Sequence, residues 1–149
     1  MIMQLIAAMA GTLAFSILFS VPKKYYLICG LIGAMGWGTY LVCGRHLGEA
    51  TSILAAALVV AFLSRLVSEA VMCPSPLFLI PGLFPLIPGA GIYWMTYYIV
   101  TDETGLAMDS GYHALKQAVA IVLAIVLIFE LPKKCFTVMG RTLYRKEIK

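Results

Sequence analysis

The chain has 149 residues, 62% of them hydrophobic and 12% charged, against roughly 45 to 50% apolar and about 25% charged in a soluble domain. That composition excludes an ordinary soluble enzyme and specifies an integral membrane protein. The net charge of +4 does not argue for nucleic acid, because the basic residues sit at the ends of apolar runs, as Lys23, Lys24, Lys133, Lys134 and the tail from Arg141, where they set topology.

In chain order, the first uncharged run extends from Met1 to Val21. Nothing basic precedes it and it has the length of a full span, so it reads as a retained helix at roughly 2–21 and not as a signal peptide. Further helices are expected at 25–44, 50–72, a broken fourth at 76–101, and 112–131, followed by a basic tail at 132–149. A span needs about 20 apolar residues, so the expected fold is all-α, a single transmembrane domain of about five helices. Placing the N-terminus outside puts Lys23, Lys24 and the tail in the cytoplasm. The loop "TDETGLAMDSGYH", with Asp102, Glu103 and Asp109, then lies outside, so the positive-inside rule predicts N-out and C-in.

Smaller features are mostly generic. "FSVPKKYYLICG" and "FELPKKCFTVMG" share Phe, Pro, Lys, Lys and Gly in register, which is either a common way of ending a helix at a cytoplasmic surface or an internal duplication. Ala7, Gly11 and Ala14 in the first helix, and Gly30, Gly33, Ala34, Gly36 and Gly38 in the second, are small residues at helical spacing that let helices approach closely in lipid. Such faces serve packing within the bundle or against another subunit, including further copies in a higher-order oligomer. Cys29, Cys43, Cys73 and Cys135 are far apart and without metal-ligand spacing. No metal or other cofactor is expected, and His46 and His113 read as surface residues without partners.

The most informative stretch is "PLFLIPGLFPLIPGAG", Pro76 to Gly91. Proline in a helix interior removes one N–H and clashes with the carbonyl four residues earlier, at a cost of about 3 kcal/mol or more. Pro81, Pro85 and Pro88 would release the carbonyls of Leu77, Pro81 and Phe84, and lipid cannot satisfy them. From Pro88 to Thr101 is too short to cross the hydrocarbon alone, at about 21 Å against roughly 30 Å. The expectation is therefore a discontinuous helix whose second half starts at Pro88, with the amides of Gly89, Ala90 and Gly91 unpaired near the midplane and able to hold an anionic group. Tyr93 and Tyr97, four apart, with Thr96 beside Tyr97, would offer hydroxyls to the same substrate, while Tyr97, Tyr98 and Trp94 equally suit an outer aromatic belt.

Arg65 and Glu69 are one turn apart in the third helix and able to neutralise each other. They read either as an interfacial anchor, with Arg65 snorkelling, or as a gate or coupling pair. Glu69 is the best candidate for a proton carrier inside the spans. No paired intramembrane aspartates, HExxH or serine-nucleophile motif occurs in the sequence, so no enzyme is expected.

The segment Phe62 to Val100, "FLSRLVSEAVMCPSPLFLIPGLFPLIPGAGIYWMTYYIV", resembles the core of the threonine/serine exporter family, and specifically its small subunit. It carries Ser-Arg, then Pro, then Ile-Pro, Pro-Gly and a following Tyr. "VPKKYYLICGLIGAMGWG" is similar to the family's second-helix region. The resemblance places Arg65 at the Ser-Arg position and Pro81, Pro85, Pro88 and Gly89 in the proline-glycine core. It implies an exporter of small carboxylate metabolites in the bacterial inner membrane, taking threonine and serine or dicarboxylates such as succinate. Its partner would be a larger exporter subunit, and the alternative is a structural or assembly subunit that never contacts substrate. A five-helix half that starts inside ends outside, which agrees with the N-terminus placed from charge.

Overall fold

The computed structural model describes residues 1–132 and Phe136. The expected basic tail, with Lys133, Lys134 and Cys135, and most of the second near-repeat lie outside the described residues. Among the described residues six α-helices follow one another: α1 (Ile2–Leu18), α2 (Tyr26–Cys43), α3 (Glu49–Val71), α4 (Pro76–Leu83), α5 (Gly89–Val100) and α6 (Thr104–Glu130), with 3₁₀ turns at Lys23–Tyr25 and Phe84–Leu86.

The boundaries have local causes. Ser20 adopts a left-handed φ of 56° just before Pro22, whose missing N–H stops α1 from continuing. Met72 closes α3 in the same left-handed region, and the amide of Cys73 returns to the carbonyl of Ser68. Pro76 opens α4 at a first-turn position, where a missing donor costs nothing.

Among the described residues three stretches, Lys23–Cys43, Glu49–Val71 and Thr104–Glu130, are long and apolar enough to cross a bilayer, and Pro76–Leu86 with Gly89–Val100, bent by 53°, forms a fourth if taken as one span. The remaining helix of the five expected, α1, has only 17 residues, or about 25 Å. The expected outer loop is corrected: α6 begins at Thr104, eight residues before the predicted 112, and only a short turn at Asp102 separates it from α5. The stretch is polar, yet Ala107 and Ala114, two turns apart, are buried, and Gly111 sits against the Met95 side chain. That small-residue seam holds it helical against α5.

Close approach through small residues organises the bundle, as expected in lipid. A Cβ on Gly33 would lie 2.0 Å from Thr12 Oγ1, and one on Gly36 would lie 2.3 Å from Val60 Cγ2. Thus α2 presses α1 with one face and α3 with another. On α1 the packed residues are Ala8, Thr12 and Ser16, not the expected Ala7, Gly11 and Ala14. The hydroxyls of Thr12 and Ser16 are satisfied within their own helix, on the carbonyls of Ala8 and Thr12 at 2.8 Å each. Helix α4 sits beside α2 and α3, with Gly82 close to Ile32 and Val60 and the Phe78 ring 5.4 Å from that of Tyr25. Helix α5 differs from the rest: it has no buried residue and packs chiefly on α6.

Candidate functional site

The fourth span is broken as the sequence predicts, at Pro85 and Pro88, while Pro81 is carried inside α4; most of the released backbone is repaired. The carbonyl of Pro81 accepts the amide of Phe84, and that of Phe84 accepts the amide of Ile87 at 3.3 Å. Both repairs follow from tightening into a 3₁₀ turn. The carbonyl of Leu77 faces the buried thiol of Cys29, with Sγ at 4.0 Å. The expected cluster of free carbonyls is therefore absent. The amide of Gly89 is also engaged, on the carbonyl of Ile87 at 2.7 Å, and the first bond inside α5 runs from Ile92 to Pro88. Ala90 and Gly91 keep the first-turn amides that a helix leaves without an internal acceptor.

These residues form one wall of a cavity of about 400 Å³, within the range usual for small-molecule sites. Pro85, Pro88, Gly89, Ala90 and Gly91 line it from the break, and Trp94 from α5. Trp37 and Tyr40 close it from the last turns of α2, Glu49 and Ile53 from the first turn of α3, and Asp109, His113 and Gln117 from α6. The cavity thus sits at the end of the bundle where α3 begins, and not at the midplane expected from sequence. A Cβ on Gly89 would meet nothing within 4 Å, whereas one on Gly91 would lie 3.1 Å from the Cβ of Ala114. Gly89 is open wall, and Gly91 is the contact that lets α5 lie on α6.

Other sequence-predicted site residues lie elsewhere. Pro81 is buried inside α4. Tyr93 and Tyr97 are 61% and 47% exposed, stack with centroids 6.5 Å apart, and do not line the cavity. The hydroxyl of Thr96 is spent on the carbonyl of Ile92. Arg65 and Glu69 do not pair. The Arg65 guanidinium is buried, donates to the carbonyl of Ile128 in the last turn of α6, and lies over the rings of Phe136 at 4.5 Å and Phe129 at 5.4 Å. There it meets the negative end of the α6 dipole, and among the described residues no carboxylate lies within ion-pair distance. Arg65 is sixteen residues along α3 from Glu49, or about 24 Å, so it cannot reach the cavity.

The polar groups that do line the cavity were not legible beforehand. His113, expected to be a partnerless surface residue, has Nδ1 at 3.3 Å from Glu49 Oε2 and Nε2 at 3.9 Å from Asp109 Oδ1. The cavity therefore presents carboxylates and an imidazole on one side and the first-turn amides of α5 on another. A small molecule carrying both charges can be held between them.

Residues 4–131 match the family described as "Threonine/Serine exporter, ThrE". The chain is also similar to a threonine/serine exporter of Corynebacterium glutamicum, with 27% identity over 124 residues, covering 83% of this chain and 25% of that protein. The chain thus spans about a quarter of that relative's length. No solved structure matches it.

Proposed function

The chain belongs to the threonine/serine exporter family, and from that premise we propose that it is the small subunit of a two-component exporter whose substrate rests in the cavity at the helix break. Family membership supports a transporter role and points away from an enzyme. The observation that carries the site reading is the 400 Å³ cavity lined both by Ala90 and Gly91, from the first turn of α5, and by Glu49 and Asp109.

That arrangement suits a zwitterion. A carboxylate finds the positive end of α5, and an ammonium finds the acids. A dicarboxylate such as succinate would bring a second negative charge toward Glu49 and Asp109, which like-charge repulsion disfavours. Small amino acids of the threonine and serine type are therefore the proposed cargo, with dicarboxylates as the less favoured class.

One feature supports a larger partner: α5 leaves Ile92, Tyr93, Tyr97 and Ile99 exposed on a helix with no buried residue. In this reading the partner subunit covers that face in the bacterial inner membrane. The N-terminus lies outside, so that Lys23 and Lys24 face the cytoplasm and the cavity opens toward the exterior. The same uncovered face favours a second reading, a subunit that only stabilises its partner.

Efflux of labelled threonine, serine and succinate from preloaded cells lacking native exporters separates these readings. Threonine or serine efflux that needs both this chain and the larger subunit is expected. Efflux with the larger subunit alone would reduce this chain to an accessory, and succinate efflux without threonine efflux would overturn the zwitterion site.

A further inference from the structure

From Gly89 to Gln117 the chain forms a helical hairpin held mainly from one side. Helix α5 packs chiefly on α6, through Gly91 against Ala114 and Met95 against Gly111. Among the described residues, the ion pair joining this hairpin to α3 is Glu49 to His113 at 3.3 Å. The two residues are also a shared wall: with Gln117 they line both the 400 Å³ cavity and a second one of about 240 Å³, which Gly48 and Lys116 line on its far side. Parting Glu49 from His113 would open the wall that the two cavities share.

The charged and titratable surroundings of His113 are few. On α6, Asp109 lies one turn before it at 3.9 Å, and Lys116 lies over the ring of Tyr112 at 5.5 Å. From α3 it meets Glu49, from α2 Tyr40 faces the same cavity, and α5 contributes only Gly89, Ala90, Gly91 and Trp94 to it. Two carboxylates thus converge on one imidazole. Histidine changes charge between about pH 5 and 8.

We infer that the Glu49–His113 pair is a pH-sensitive latch on the cavity. A protonated His113 holds Glu49 across the α3–α6 seam and keeps the wall shut. A neutral imidazole leaves only an uncharged hydrogen bond, and the wall loosens. The bearing of this latch on transport rests on the substrate-site reading above, whereas its existence does not. In the N-out orientation it responds to external pH, with acid favouring the closed wall. Both side chains are about half exposed, so the effect has the size of a surface ion pair, about two- to fivefold in the open population.

The test measures thiol accessibility in membranes from cells expressing the full chain together with the larger subunit, with the four native cysteines replaced and no amino acid added. A cysteine at Ala90 reports on the cavity and one at Met108, which is 74% exposed on α6, serves as reference for reagent and expression, with His113→Asn as the baseline for the ionisation of the two thiols themselves. With a charged methanethiosulfonate reagent, the Ala90 to Met108 labelling ratio should fall about two- to fivefold from pH 8 to pH 5.5. His113→Asn should hold it high at both pH values, and His113→Lys, a fixed cation, should hold it low at both. A ratio that ignores pH, or that falls equally in His113→Asn or Glu49→Gln, would overturn the latch. Because no substrate is present, that failure would leave the transport reading to stand or fall on efflux alone.

Discussion

Gly89 and Gly91 stand two residues apart in the same turn, yet the structure gives them opposite tolerances. A methyl group on Gly89 enters open space, and neither glycine has a positive φ, so Gly89→Ala should be neutral or gain up to about 0.5–1 kcal/mol of conformational entropy. A methyl group on Gly91 lands 3.1 Å from the Cβ of Ala114, and such overpacking typically costs about 1–3 kcal/mol. The two alanine variants should therefore differ by about 2 kcal/mol, up to roughly 30-fold in the folded to unfolded ratio. Thermal unfolding of the detergent-solubilised chain, followed by loss of soluble fluorescent fusion, reads the difference. Ala114→Gly removes the opposing atom and leaves only ordinary contacts, to Ala114 Cα at 3.6 Å and the Ser110 carbonyl at 3.7 Å. It should therefore suppress Gly91→Ala in a double-mutant cycle. Equal destabilisation by the two alanines, or strict additivity of Gly91→Ala with Ala114→Gly, would refute the α5–α6 seam and with it the wall of the cavity.

The same reasoning applies to the rest of the bundle. Gly33→Ala drives a methyl group into Thr12 and should cost about 1–3 kcal/mol, whereas Gly11→Ala, with nothing within 4 Å, should gain about 0.5–1 kcal/mol; the same melting assay ranks them. Arg65→Gln removes the cation held at the end of α6 and should cost about 2–4 kcal/mol, between a charged hydrogen bond and a buried charge. Arg65→Lys should recover only part of this, because an ammonium cannot lie flat on Phe129 and Phe136.

The broken fourth span was legible because proline acts locally: Pro85 and Pro88, three residues apart, end one helix and delay the next, although α4 tolerates Pro81 in its interior. The repair of their carbonyls was not, because it depends on 3₁₀ tightening and on Cys29, which lies 48 residues from Leu77. Gly33 and Gly36 marked tight helix contacts, but their partners Thr12 and Val60 follow only from how the helices are rotated. The first half of α6 was misread because Asp109, Ser110 and Gly111 resemble a loop, while the seam with α5 that keeps it helical is a tertiary contact. Glu49 and His113 are 64 residues apart, and nothing near either one in the chain marks the other. Arg65 and Glu69 have the spacing of an ion pair, yet the α6 carbonyl and two aromatic rings claim the guanidinium.

The central claim, that the cavity at the helix break holds the cargo, is tested most directly at Gly89, where an added Cβ meets nothing within 4 Å. Labelled threonine efflux should be measured from preloaded cells expressing the larger subunit with either this chain or its Gly89→Leu variant, with membrane insertion and co-purification confirmed for both. Loss of efflux with insertion and assembly intact is the expected result, and wild-type efflux from the Gly89→Leu variant would contradict the account.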